Sequence, residues 1–420
     1  MWLVEGLAPD HNTISNFRRD NPKAIKKVFR ATVRIARNFG LIGAVMIAGD
    51  STKLRAQNSK KNNYNQKKID RHIAYIDKKL VEYQGLLEKG DGDKNDIKEE
   101  IEKHGKRKEK YKGLERRLKE SGEEQISTSD PESRQMIVRN NITEVAYNIQ
   151  ATVDSKHYIP IDYKVTGNND TKAMGNMLRR AKTILRTNDL TALYDKGYHT
   201  GSGFKVAHDL GIPTLVAVPA IGRASQAPDP AYNAEHFAYD GDNDAYTCPQ
   251  GHVLKSNGSR YRARNYYFKQ YKTGKCKGCP VRELCTTAKN GKILQRSEFR
   301  EHIEGNAKRV AADRELYRQR QAIVEHPFGT IKRQWGFDHI MTKKYRTRAS
   351  ADTGPIFIAY NLKRILNILA ENAPENPLRA LRKALAGPKI LYRAYLRPLE
   401  KPLRPVRRKP FLAYRTRLAA

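Results

Sequence analysis

The chain has 420 residues, 80 Lys and Arg against 45 Asp and Glu, and a formal net charge of +35. An imbalance of that size exceeds what solubility requires and points to a polyanionic partner, most simply nucleic acid. The sequence shows no run apolar enough to span a bilayer, no signal peptide after Met1 and no lipidation motif, so a cytoplasmic location is expected. Four cysteines are too few for a disulfide-dense secreted scaffold.

Residues 1–40 read as short helices. Pro9-Asp10-His11-Asn12-Thr13 looks like a cap, and a basic helix over about Ala24–Arg37 has Ile25, Val28, Phe29, Val33 and Ile35 inward. Val45-Met46-Ile47-Ala48-Gly49 then runs into Asp50, a buried strand with a carboxylate at its C-terminal edge, where α/β sheets place catalytic groups. Residues 59–135 hold a Lys/Asn-rich loop and a charged region in which Ile69, Ile73, Ile76, Leu80, Tyr83 and Leu87 step by fours and threes. That period predicts an antiparallel helical hairpin turning at Gly90–Asp93, either a solvated strut or an arm that contacts DNA or a second copy.

Strand alternation resumes over Ala146–Asp154 and Tyr158–Val165, two segments expected to pair as a hairpin. A helix over about Lys172–Arg186 follows, then the strand Leu190–Tyr194 ending in Asp195, a helix near Phe204–Leu210 and the strand Thr214–Val218. Residues 220–295 shift to Tyr, Asn, Gly and Asp and contain all four cysteines, which reads as an inserted module. Helical signal returns at Glu298–Gln334, with a break expected at Pro327, and again at Pro355–Leu369. Trp335-Gly336-Phe337 reads as core packing, and residues 371–420 as a basic tail.

Three acids close this pattern: Asp50, Asp195 and Glu325, the last following Ala322-Ile323-Val324. Singly, each could be a turn, cap or surface residue. Brought together they would repel one another without a cation, and hard carboxylate oxygens suit Mg²⁺. Cys248, Cys276, Cys279 and Cys285 contain one Cys-x2-Cys half-site, so structural Zn²⁺ is the first expectation, with an iron–sulfur cluster and unliganded thiols as alternatives. His252 is read as a turn residue after Gly251. Tyr261, Tyr266, Tyr267, Phe268 and Tyr271, interleaved with Arg262, Arg264, Lys269 and Lys272, are equally a DNA-stacking surface and the core of a small module.

Gly49-Asp50-Ser51-Thr52-Lys53, Tyr194-Asp195-Lys196-Gly197-Tyr198 and Val324-Glu325-His326-Pro327-Phe328-Gly329-Thr330-Ile331-Lys332 together resemble the DDE transposases of bacterial insertion sequences. The resemblance covers about residues 5–370. It implies an α/β, ribonuclease-H-like mixed sheet with flanking helices over residues 41–370, interrupted by the helical hairpin and the cysteine module. It implies that Asp50, Asp195 and Glu325 hold Mg²⁺ (or Mn²⁺) and cleave and rejoin DNA. It implies double-stranded DNA as partner, a homodimer on that DNA, and a place on the nucleoid. Lys332 and Arg320 would contact DNA, although Arg320 stands one residue from the family's spacing before the glutamate. Basic Lys343, Lys344 and Arg346 are expected on the backbone as well. Gly6–Arg18 resembles the end of the family's N-terminal helical domain, whose preceding helices are not in this sequence; residues 1–40 are therefore read as a remnant of that domain. The rival expectations are a non-catalytic DNA-binding protein derived from a transposase, and an RNA-binding protein.

Overall fold

The computed structural model describes residues 9–90, 93–139, 142–220, 222, 225–263, 265–342 and 344–372. The basic tail from residue 373, the first eight residues and Lys343 lie outside them.

Two helices open the chain, α1 (His11–Asp20) and α2 (Pro22–Asn38). Asp10 caps α1 by accepting the Thr13 amide at 2.6 Å, and Pro22 sits at the start of α2, where its missing N–H costs nothing. β1 (Met46–Arg55) follows, then the short β2 (Asn63–Tyr64) and the long helices α3 (Gln66–Lys89) and α4 (Lys94–Ser121). These two helices pack together over Ile69, Leu114 and Leu118, and β2 pairs with β3 (Ile126–Ser127) at their base.

The central sheet is built from β1, β4 (Arg134–Arg139), β5 (Ile142–Asp154), β6 (Ile159–Thr166), β7 (Thr191–Tyr194) and β8 (Thr214–Val216), with α5 (Met174–Leu185) and α6 (Gly201–Asp209) between the later strands. β1 is antiparallel to β5 and parallel to β7; β8 is parallel to β7. The outer edge of β5 carries β6 along one stretch and β4 along another, all antiparallel. The expected hairpin, helix, strand, helix, strand order is present. β4 was not foreseen, because Arg134–Arg139 mixes polar and apolar residues too closely to stand out.

A second six-stranded sheet forms in the cysteine-bearing region from β9 (Ala238–Asp240), β10 (Ala245–Thr247), β11 (Val253–Ser256), β12 (Tyr261–Arg262), β13 (Tyr267–Lys272) and β14 (Leu294–Ser297), with the one-turn helix α7 (Arg282–Cys285) between the last two. Its core is Phe237, Tyr246, Leu254, Tyr271 and Leu294. Three helices follow among the described residues: α8 (Arg300–Ala312), α9 (Arg314–Gly329) and α10 (Arg346–Asn372).

Two helix boundaries differ from the sequence expectation. The break falls at Asp313, not Pro327, because the Asp313 carboxylate accepts the Leu316 amide at 2.8 Å and starts a new helix there. Pro327 lies inside α9, which continues to Gly329 and then widens into a single π-type turn over Thr330–Gln334. Glu325 therefore sits within a helix rather than at a junction. Pro355 is likewise interior to α10, which begins nine residues earlier at Arg346.

On the face of β1 that carries Ala48 and Asp50, Ile323 and Val324 of α9 pack against Ala48, Leu193 and Leu215. Farther along, Phe29 of α2 and Phe357 of α10 sandwich Tyr163 of β6, with ring centroids 4.9 and 5.2 Å away. The opposite face is covered by α5, whose Arg180 reaches Asp162 at 2.5 Å. The exposed edge of β8 is met by α8: Asn306 bonds both the amide and the carbonyl of Val216, at 2.9 and 2.8 Å, and Arg309 Nε donates to the Thr214 carbonyl at 3.0 Å.

Gly49 abuts the ring of Tyr194 so closely that a Cβ would lie 2.0 Å from it, whereas a Cβ on Gly85 of α3 would meet nothing within 4 Å. Gly49→Ala is expected to destabilise the fold by about 1–3 kcal/mol through overpacking. Gly85→Ala is expected to stabilise it by about 1 kcal/mol through helix propensity. Urea titration of both variants checks the pair.

Candidate active site

The ladder between β1 and β7 runs from Met46↔Thr191 to Gly49↔Tyr194 and stops. The ladder between β1 and β5 continues to Arg55↔Ala146. The parallel strands thus part company at the residues just before Asp50 and Asp195. Side chains alternate along a strand, so with Ala48 and Leu193 facing α9, Asp50 and Asp195 open onto that same side.

Asp50 is partly buried. One carboxylate oxygen accepts the Ser51 amide at 2.7 Å, and the other accepts Arg320 Nη1 of α9 at 3.1 Å. Burial pushes the Asp50 carboxyl above the usual range, with the Asp195 and Asp170 carboxylates adding to the rise and the Ser51 amide and Arg320 opposing it. Asp195 caps the tight turn Lys196–Tyr198 by accepting the Gly197 amide at 2.8 Å. Arg320 is therefore the cation paired with Asp50.

Glu325 lies farther along α9. It is exposed and accepts Gln321 Nε2 at 2.8 Å. The helix is fixed around it, because His326 Nδ1 is 2.6 Å from the Tyr360 hydroxyl, which donates to the Tyr158 carbonyl at 3.0 Å. Lys332, in the π-type turn, brings Nζ to 3.5 Å from the Lys53 carbonyl. Lys344 is exposed. Arg346 is tied to Glu132, with its Nη2 2.7 Å from the carboxylate.

The structure thus brings Asp50, Asp195 and Arg320 together and leaves Glu325 on the shoulder of the same helix. Among the described residues no three His, Cys, Asp or Glu side chains are gathered as a metal site. The donor chemistry of the aspartate pair nevertheless fits a hard divalent cation, since both supply carboxylate oxygens on one side of the sheet and the Asp195 charge disfavours ionised Asp50.

Asp170 is the site residue that the sequence reading missed. It follows the end of β6, which runs parallel to β1 through their shared neighbour β5. Its carboxylate accepts Ser51 Oγ at 2.9 Å, Lys53 Nζ at 3.1 Å and Asn148 Nδ2 at 2.7 Å. The available signal was an acid within or after each of three strands, Asp50 inside β1, Asp195 directly after β7 and Asp170 four residues past β6; it was hidden because Gly167-Asn168-Asn169-Asp170 has the composition of an ordinary turn.

In the second sheet the four cysteines are free, partly buried, and line one cavity with Phe237 and Leu254. Cys248 sits in a tight turn closed by Gly251 at φ +76°, and its Sγ accepts the His252 amide at 3.3 Å. Burial pushes the Cys285 thiol up, the sulfurs of Cys276, Cys248 and Cys279 add to the rise, and Lys292 opposes it. The tyrosines divide: Tyr271 is core at 1% exposure, whereas Tyr261, Tyr266 and Tyr267 are exposed.

Residues 247–366 match a family described as a transposase DDE domain. The match takes in all four cysteines, Arg320, Glu325 and Lys332, and leaves Asp50 and Asp195 outside it. A cryo-EM structure of a piggyBac transposase synaptic complex with hairpin DNA aligns with 64% of this chain at 9% identity and a TM-score of 0.24, too loose a likeness to inform the fold. The alignment spans about half, 51%, of that chain's length. No curated protein matches the chain. Among the described residues no helix is long and apolar enough to cross a membrane.

The Asp50–Arg320 pair yields a prediction about stability. In a double-mutant cycle without divalent cation, Asp50→Asn and Arg320→Met are expected to couple by about 1–3 kcal/mol, the range for contacting, partly buried charges. Denaturant unfolding of the four proteins measures it.

Proposed function

We propose that the chain is a DNA transposase of the DDE type, which cleaves strands at transposon ends and transfers them into target DNA. The observation that carries the reading is the convergence of Asp50 and Asp195 where β1 and β7 part, under the helix that bears Glu325. The match of residues 247–366 to a transposase DDE domain supports it, as does the net charge of +35. The mixed sheet, with β1 antiparallel to β5 and parallel to β7, supports reading the domain as ribonuclease-H-like. Residues 59–135 and 220–295 are then insertions into that domain.

Two Mg²⁺ or Mn²⁺ ions, when bound by Asp50, Asp195 and Glu325, would activate the attacking oxygen and stabilise the leaving one. The rest falls to the chain. Asp50 and Asp195, fixed by the Ser51 and Gly197 amides, keep their orientation through turnover. Arg320 leaves Asp50 and becomes free for a phosphate. Lys332 flanks the same strand and meets the backbone one step away. In the first step a water oxygen attacks phosphorus and a 3′-hydroxyl leaves; in the second that 3′-hydroxyl attacks a target phosphodiester. One bond forms and one breaks each time, so no external energy source is needed. Lys344 and Arg346 extend the basic surface. A homodimer would hold the two ends that must be joined.

The cysteine module is proposed to fold around one structural Zn²⁺ held by Cys248, Cys276, Cys279 and Cys285. Their common cavity and the amide bond to the Cys248 sulfur support this. Metal analysis is expected to give one zinc per chain, lost in Cys276→Ser/Cys279→Ser; iron with acid-labile sulfide would identify a cluster instead.

The alternative, a non-catalytic DNA-binding protein, is favoured by one observation: Arg320 occupies the Asp50 carboxylate while Glu325 bonds Gln321. Nicking of supercoiled DNA decides between the two. Metal-dependent nicking is expected, and Asp195→Ala should lower its rate on the order of 10³-fold, the loss of several kcal/mol of charge stabilisation. Binding without nicking, unchanged by the substitution, would establish the alternative.

A further inference from the structure

Asp50 stands where β1 has lost its β7 neighbour, so Ser51–Leu54 is held in the ladder from the β5 side only, until Arg55 exchanges backbone hydrogen bonds with Asp338 and Ile340 at 3.1 and 2.7 Å. A carboxylate that must keep its place through catalysis needs that segment fixed from elsewhere. Resting on the transposase reading above, we propose that Asp170 is a positioning residue of the catalytic centre, holding the strand behind Asp50 from the reverse face of the sheet.

Three observations carry this. Ser51 and Lys53 pair with Gln150 and Asn148 across the β1–β5 ladder, so their side chains share the face opposite Asp50. Asp170 binds three side chains of that face: Ser51, Lys53 and Asn148. Asn148 is fully buried, and its side-chain amide also donates to the Asn168 carbonyl at 3.0 Å, which locks the loop that carries Asp170. The same loop touches the turn after Asp195: a Cβ on Gly197 would lie 3.9 Å from the Asp170 Cβ. One residue thus bears on the strand of one aspartate and the turn of the other.

The bonding also says what Asp170 does. One oxygen accepts one donor and the other accepts two, and the side chain is 17% exposed. It is therefore committed to static contacts with the chain itself. Its charge has a second effect. Lys53 Nζ bonds Ser51 Oγ at 2.8 Å as well as Asp170. Without Asp170 that ammonium keeps only the Ser51 hydroxyl, and its uncompensated charge, on the other face of the strand three residues from Asp50, raises the local positive potential against any divalent cation.

The test compares Asp170→Ala, Asp170→Ala/Lys53→Ala, Asp50→Asn and wild type in three assays: DNA binding, nicking of supercoiled DNA, and Mn²⁺ binding to the DNA-free protein by electron paramagnetic resonance. Asp170→Ala is expected to bind DNA within twofold of wild type, to nick at least tenfold more slowly, and to need severalfold more Mn²⁺ for half-saturation. The double variant should recover part of the Mn²⁺ affinity, because the uncompensated ammonium is gone. Wild-type nicking and Mn²⁺ binding in Asp170→Ala would overturn the proposal. So would a parallel loss of DNA binding, nicking and thermal stability, which marks a purely structural residue. If Asp50→Asn itself keeps nicking and Mn²⁺ binding, the location of the active site is wrong, a separate failure from that of Asp170.

Discussion

The divergence of two parallel strands underlies the site. β1 and β7 stay hydrogen-bonded through Gly49 and Tyr194, then separate, while β5 keeps hold of β1. Hydrogen bonding and side-chain size set the geometry together. Gly49 lets the Tyr194 ring lie against the β1 backbone, and the full burial of that ring anchors the strand end that presents Asp195. The cleft is thus a consequence of where the β1–β7 ladder ends, and the acids stand at its mouth because each directly follows a residue of the last β1–β7 pair, Gly49↔Tyr194.

Electrostatics then determines how the cleft is filled. In a chain with a large cationic excess, a pair of close carboxylates is a local reversal of sign. Arg320 satisfies it from α9, the helix whose apolar residues Ile323 and Val324 already seal the same face of the sheet. One helix therefore supplies the packing, the compensating charge and the exposed Glu325. Under the proposed function, a divalent ion at Asp50 would have to compete with that guanidinium, which would link metal occupancy to the freedom of an arginine.

The sequence made the central strands and helices legible because their patterns are strong: unbroken apolar runs for β1 and β7, alternation for β5 and β6, heptad-like spacing for α3 and α4. It also made Asp50 and Asp195 legible, since an acid that ends a buried run is conspicuous. Asp170 was not legible, because its partners Ser51, Lys53 and Asn148 are brought to it only by the β1–β5 register. The α8–α9 boundary was misplaced at Pro327, whose helix-breaking tendency lost to the cap at Asp313 and to the packing of Ile323 and Val324. The second sheet was obscured by strands of two to six residues, too short for periodicity to register. Exposure, which sequence does not give, separates Tyr271 in the core from Tyr261, Tyr266 and Tyr267 outside it.

The contact between α8 and β8 bears on how copies of this chain can meet. A bare parallel edge strand invites another strand to add to it. Here Asn306 mimics a neighbouring peptide group, taking the Val216 amide and giving to its carbonyl, and Arg309 takes up the Thr214 carbonyl. Those backbone groups are spent, so the sheet cannot be prolonged through β8 into a second molecule. The chain is in this way spared fibre-like self-association at that border, and any pairing of copies would have to use another part of the surface.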